Sequence, residues 1–141
     1  MNSSRATFPK NERLYRKHLM EILFQKGLSF VAYPLRVIYY PIENVRESVK
    51  STHAVASNAP ISVLISIPKK KIKHAVDRNY IKRRIRESYR LRKHELTSLI
   101  SEEDKQLLLA FIYLNDEKSS FEKIDRAMAK AIHDIKLRTN S

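Results

Sequence analysis

The stretch from Lys69 to Lys93, KKKIKHAVDRNYIKRRIRESYRLRK, holds twelve of the chain's 28 lysine and arginine residues against Asp77 and Glu87 alone. Any fold of this chain has to find a place for that charge. A uniform run of like charge repels itself and stays unfolded. This one is interrupted at helical spacing. Ile81, Ile85, Ser88/Tyr89, Arg92 and Leu96 recur at about 100° per residue and so fall within one arc of a helix. Lys82, Arg83, Arg86 and Arg90, with Asn79, cluster on an adjacent arc, and Arg78 sits at the border. The spacing predicts an amphipathic helix with one side for a core and one for a polyanion. Acidic residues are too few to neutralise that second side through i,i+4 pairs.

A chain of 141 residues suits one domain with a core of its own. It has no cysteine, which excludes a disulfide framework and any thiolate zinc site. Its five histidines, His18, His53, His74, His94 and His133, include no His-x-x-x-His pair. A net charge of +13 with 43% hydrophobic residues describes a folded basic domain, for which nucleic acid is the default partner. Apolar runs such as Leu107 to Leu114 fall far short of the ~20 residues of a membrane span, and no signal peptide is visible. The expectation is a cytoplasmic protein with no membrane partner.

Residues 1–10 read as a mobile polar tail and 11–141 as a single RNA-binding domain. Asn11 can cap a helix running from Arg13 to Lys26, and Gly27, the only glycine, stands where a left-handed C-terminal cap belongs. Leu14, Leu19, Ile22 and Leu23 form its core face. Met20 and Phe24 lie further round, near Arg13 and Lys17. They either complete the core or, with the cations, contact single-stranded nucleic acid, where charge holds phosphate and flat or polarisable groups meet bases.

Phe30 to Ile42 reads as a strand edged by Pro34 and Pro41. Alternation puts Leu35, Val37 and Tyr39 on one face and Arg36, Ile38 and Tyr40 on the other. One face meets the core; Arg36 and Tyr40 favour an RNA platform on the other. Residues 43–60 read as a loop with a short helical turn around Glu43 to Val49, and Thr52 to Ala56 could add a strand. Ile61 to Ile67 is the next strand, ended by Pro68. Beyond the basic helix, Ser98 to Asp104 is a polar connection and Leu107 to Tyr113 a fully buried strand. Ser119 with Glu122 makes a capping box for a final helix whose apolar face is Phe121, Ile124, Met128, Ala131, Ile132 and Ile135. The outward residues of that helix look like ordinary surface. The order predicts an α+β fold, helices packed against a sheet.

Ala75 to Glu87, AVDRNYIKRRIRE, resembles the signature of the protein subunit of bacterial ribonuclease P, Ala-Val-x-Arg-Asn-x-x-Lys-Arg-x-x-Arg-Glu. Arg78, Asn79, Lys82, Arg83, Arg86 and Glu87 match in register. The flanks agree: Arg13-Leu14 with Phe24 and Gly27 looks like the family's opening helix, and the strands either side of the motif look like the family's. The likeness covers about residues 11–135. Two departures stand out. Met20 occupies a position where the family usually has an aromatic, and the lead-in Lys69 to Lys73 is one residue longer than the family's and lacks its glycine.

The resemblance implies an α-β-β-β-α-β-α sandwich similar to the second domain of ribosomal protein S5, with a left-handed βαβ crossover around the basic helix. It implies that Arg78, Asn79, Lys82, Arg83, Arg86 and Arg90 meet the catalytic RNA. It also implies a cleft of Arg13, Lys17, Met20, Phe24, Arg36 and Tyr40 that holds the 5′ leader of precursor tRNA.

The residues offer no protein nuclease site. Asp77 and Glu87 stand ten residues apart on the helix, about 15 Å along its axis, and cannot share one ion. Asp77 suits the dipole of the first turn, and Glu87 suits a partner such as Arg83, Arg84 or another nearby basic group. The expectation is therefore a protein without catalytic residues, metal ligands or organic cofactor of its own. In that family magnesium acts through the RNA subunit. A structural RNA-binding protein such as a ribosomal component explains charge, size and fold equally well but not the six matched polar positions. A helix-turn-helix DNA binder would need a short helix where ISVLISIP reads as strand, so DNA is not an expected partner.

Overall fold

Gln106 to Tyr113 offers no charged side chain to water, so it must lie inside a sheet with both faces covered. In the computed structural model, which describes residues 13–14, 17–42, 60–98, 100 and 105–139, it does. The elements are α1 (Lys17–Lys26), β1 (Leu28–Ala32), β2 (Leu35–Ile42), β3 (Ile61–Ser66), α2 (Ala75–Arg92), the single turn α3 (His94–Thr97), β4 (Gln106–Tyr113) and α4 (Phe121–Thr139). The sheet order is β1-β2-β4-β3. β1, β2 and β4 pair antiparallel, and β3 lies parallel to β4, so α2 is the crossover between parallel neighbours. The α+β order expected from the sequence is thus observed, with one extra helical turn.

Two apolar clusters sandwich the sheet. Leu35, Val37 and Tyr39 of β2 join Leu107, Leu109, Phe111 and Tyr113 of β4 beneath α2 and α4. The alternate residues Leu108 and Ala110 face α1 and pack with Leu14, Leu19, Leu23 and Ile42. In α2 the buried residues are Ile81, Ile85, Ser88 and Tyr89, the arc that the 3.6-residue period selects. Leu96 extends it from α3.

Several local expectations need correction. Phe30 to Ile42 is not one strand: the chain turns at Tyr33-Pro34, whose peptide bond is cis, and β1 folds back on β2 with Ala32 opposite Leu35. Arg13 is not helical. It makes an isolated parallel bridge with Val63, and the Leu14 amide donates to the Val63 carbonyl at 2.7 Å, because the outer edge of β3 has unpaired groups to offer. The described helix starts at Lys17, and the Asn11 cap lies outside the described residues. Ile22 is half-buried at the margin of the second cluster.

Gly27 has no positive φ. Its amide donates to the Leu23 carbonyl at 2.8 Å, and a Cβ there would lie 2.3 Å from that oxygen and 2.7 Å from Ile38 Cγ2. Close approach, not left-handed backbone, demands the glycine. At α4 the cap is Ser120, whose Oγ accepts from the Lys123 amide at 3.2 Å. Ser119 is taken elsewhere: it is buried and shares a 2.7 Å hydrogen bond with the Tyr113 hydroxyl. The phenol gives its single proton to the Glu117 carbonyl, so Ser119 is the donor of that bond. The tail 1–10, the turn at 43–49 and the strand at 52–56 lie outside the described residues.

Candidate nucleic-acid interface

A basic helix can present its charge only if something fixes both its start and its roll. The start is fixed by the lead-in. Pro68 ends β3, and its carbonyl accepts from the amides of Lys71 and Ile72 at 3.0 and 3.1 Å. The longer, glycine-free segment therefore closes as a turn that buries Ile72 in the core. Arg78 reaches back from the first turns of α2, and its Nη1 donates to the carbonyls of Ile72 and Lys73 at 2.9 and 2.7 Å. The residue at the border of the two arcs thus ties turn to helix. Asp77 occupies the first turn, as its charge favours, and meets Lys118 Nζ at 3.2 Å.

The roll is fixed by α4. Ser88 and Arg92 both bond Asp125, which turns the basic arc away from α4. Along that arc Asn79 and Arg83 are exposed and Lys82, Arg86 and Arg90 half-buried. Glu87 finds its partner in Arg90, Nε to Oε1 at 2.9 Å and Nη2 to Oε2 at 2.8 Å, rather than in Arg83 or Arg84. Arg84 instead lies over the Tyr80 ring, 3.3 Å from its centroid. Lys82, Arg83 and Arg86 form no ion pair among the described residues.

Arg86 is the most constrained of these. Its Nε is buried with no hydrogen-bond partner among the described residues. Burial lowers its pKa, and the positive charge of Arg13 lowers it further. Arg13 reaches this neighbourhood because its segment pairs with the edge of β3. The helix arc and the start of the opening segment, far apart in sequence, therefore meet at one electropositive corner.

The opposite sheet face carries the other predicted set. Met20 and Tyr40 are half-buried and pack, with Ile38 and Leu64, against the cluster under α1. They complete the core margin while keeping part of their surface outside. Phe24 is 50% exposed, and Lys17 and Arg36 are exposed. Lys17, Met20 and Phe24 share one side of α1 by their three- and four-residue spacing. On the sheet, Val31, Arg36, Ile112 and Ser66 lie in one cross-strand row that α1 leaves partly open. Cations and apolar or aromatic groups thus alternate across this face.

Among the described residues no three His, Asp or Glu side chains stand close enough together to hold a metal ion, and no helix is long and apolar enough to cross a membrane.

The family model described as Ribonuclease P matches residues 8–136. The ribonuclease P protein component of Porphyromonas gingivalis is 39% identical over 132 residues, which cover 92% of this chain and 88% of the relative. That of Chlorobium phaeobacteroides is 32% identical, covering 91% and 87%. Among solved structures, the Staphylococcus aureus RNase P protein superposes with a TM-score of 0.57 at 20% identity, over 88% of this chain and 94% of that one. A mutant of the same protein described as defective in mRNA degradation gives 0.60 at 19%, over 90% of each.

Proposed function

The chain belongs to the ribonuclease P protein family, and on that premise we propose that it binds the catalytic RNA through α2 and the 5′ leader of precursor tRNA through the α1 face. The observation that carries this reading is Arg86. A buried donor without a partner costs about 1–3 kcal/mol, and a like charge from Arg13 adds to the cost. A phosphate against the exposed part of this half-buried guanidinium offsets the desolvation of its charge and quenches the repulsion from Arg13. Lys82 and Arg83 extend the phosphate contacts along the helix, and Asn79 hydrogen-bonds a sugar or base. Arg78, pinned through Nη1, offers the rest of its guanidinium in a fixed direction. Arg90 adds charge held in place by Glu87.

On the other face Phe24 stacks on a leader base, Met20 and Tyr40 flank it, and Lys17 and Arg36 hold its phosphates, with Arg13 adding its charge from the corner it shares with Arg86. This division makes the chain a binding subunit. Hydrolysis of the phosphodiester resides in the RNA subunit with its magnesium ions, while the protein's cations reduce repulsion between leader and catalytic RNA.

Reconstitution tests the reading. Added to a bacterial ribonuclease P RNA at low magnesium, the protein should stimulate cleavage at the 5′ end of mature tRNA. Absence of stimulation, with the protein folded, would contradict it.

A further inference from the structure

The outward side of α4, which reads as ordinary surface in the sequence, carries a cluster of cations. Lys123, Arg126 and Lys130, all exposed, stand at i, i+3 and i+7 and so share one side of the helix. The β1–β2 turn brings Tyr33 beside them, 57% exposed, with Lys123 Nζ 5.9 Å from the ring centroid. Tyr33, Lys123, Arg126 and Lys130, with Ala32 and Ala127, line an open cavity of about 600 Å³.

None of the three cations forms an ion pair among the described residues. The acidic residues of α4 form no ion pair with them: Asp125 is taken by Arg92, and neither Glu122, four residues before Arg126, nor Asp134, four residues beyond Lys130, pairs with its neighbour. Three cations without ion pairs on one helix side repel one another, and a large aromatic ring left mostly in water beside Lys123 gains little from the core. A solvated face accounts for the cations alone. It does not account for the ring.

The position is also distinct. α4 packs against β1 and β2, whereas α2 packs against β3. In the order β1-β2-β4-β3, β1 and β3 are the opposite edges of the sheet, although the two helices meet between them at Arg92 and Asp125. The Arg13–Arg86 corner lies at the β3 edge, so the α4 cluster cannot belong to it.

We propose that Tyr33 with Lys123, Arg126 and Lys130 forms a second site for single-stranded RNA, in which the cations hold successive phosphates and the Tyr33 ring stacks on a base. An exposed aromatic that shares one cavity with cations lacking ion pairs suits that ligand, because every base has a flat face and every linkage a charge. Lys123 to Lys130 rises about 10 Å along the helix, so the site takes only a short stretch of strand. The inference rests on the RNA-binding reading above, and it gives the protein two RNA contacts on opposite edges of one sheet.

The test uses the full chain and a fluorescein-labelled single-stranded oligouridylate, with affinity measured across a salt series and each variant's fold checked by circular dichroism. Arg126→Ala/Lys130→Ala should weaken binding and flatten the plot of log K against log[salt] by about 1.4, two phosphates at ~0.7 each. Tyr33→Ala should weaken binding about fivefold or more and leave the slope unchanged. Arg86→Glu in the same assay reports on α2. If it weakens binding while both α4 variants behave as the parent, the α4 site is overturned and the α2 reading stands. If no variant changes binding, both are overturned. Loss in the double variant with a silent Tyr33→Ala overturns the stacking site and leaves only a charged surface.

Discussion

Arg92 grips Asp125 with two parallel hydrogen bonds, Nε to Oδ1 at 3.0 Å and Nη2 to Oδ2 at 2.7 Å, and so locks the basic helix α2 to α4. Ser88 Oγ donates to the same Oδ1 at 2.6 Å. The Arg92 hydrogen bonds hold the Asp125 carboxyl below its ordinary pKa; burial opposes this, and Ser88 and the Arg92 charge reinforce it. A depressed carboxylate contributes stability that is fully present above its unfolded pKa and is lost as pH falls through the folded one. Asp125→Asn should therefore cost about 2 kcal/mol at neutral pH. Melting temperatures of parent and variant, measured against pH, should converge only once the pH drops below the ordinary carboxylate range.

Gly27→Ala should destabilise the fold by about 1–3 kcal/mol, because the new methyl meets the Leu23 carbonyl and Ile38 with nowhere to go. Urea denaturation measures it. A stabilised variant would mean that α1 and β2 separate more easily than their packing indicates.

The start of α4 distinguishes two caps. Ser120→Ala should cost about 1 kcal/mol, since its hydroxyl accepts the Lys123 amide. Glu122→Ala should stay within about 0.5 kcal/mol, as expected where no capping box forms. Denaturant midpoints of the two variants give the comparison directly.

Much of the architecture was legible because it follows local periods. Ile81, Ile85 and Tyr89 recur at 3.6 residues and are buried; Leu35, Val37 and Tyr39 alternate at two and are buried. What was not legible depends on residues distant in the chain. Arg13 reads as helical until the free edge of β3 captures its segment, and Gly27 reads as a helix cap until Ile38 arrives beside it. Glu87 had several arginines within helical reach, and the spacing alone did not choose between them: Arg84 lies over Tyr80, and Arg90 takes the carboxylate. The α4 cations were visible at i, i+3 and i+7 all along. Their significance comes from Tyr33, which the hairpin brings to them from ninety residues away.

The two proposed RNA faces should separate on mutation. Arg86→Glu reverses the charge of the corner beside Arg13, so it should weaken assembly with the catalytic RNA at least tenfold, measured by filter binding. Phe24→Ala removes a half-exposed ring and leaves the buried α1 residues Leu19 and Leu23 in place, so assembly should be unchanged while affinity for precursor tRNA falls about fivefold or more.

The most direct measurement is the affinity of the assembled ribonucleoprotein for precursor tRNAs of increasing leader length, compared with that of the RNA subunit alone. A leader bound across Arg13, Lys17, Met20, Phe24, Arg36 and Tyr40 predicts that affinity rises over the first several leader nucleotides and then levels off, only when the protein is present. Equal affinity for leaderless and full-leader substrates in the presence of the protein would contradict it.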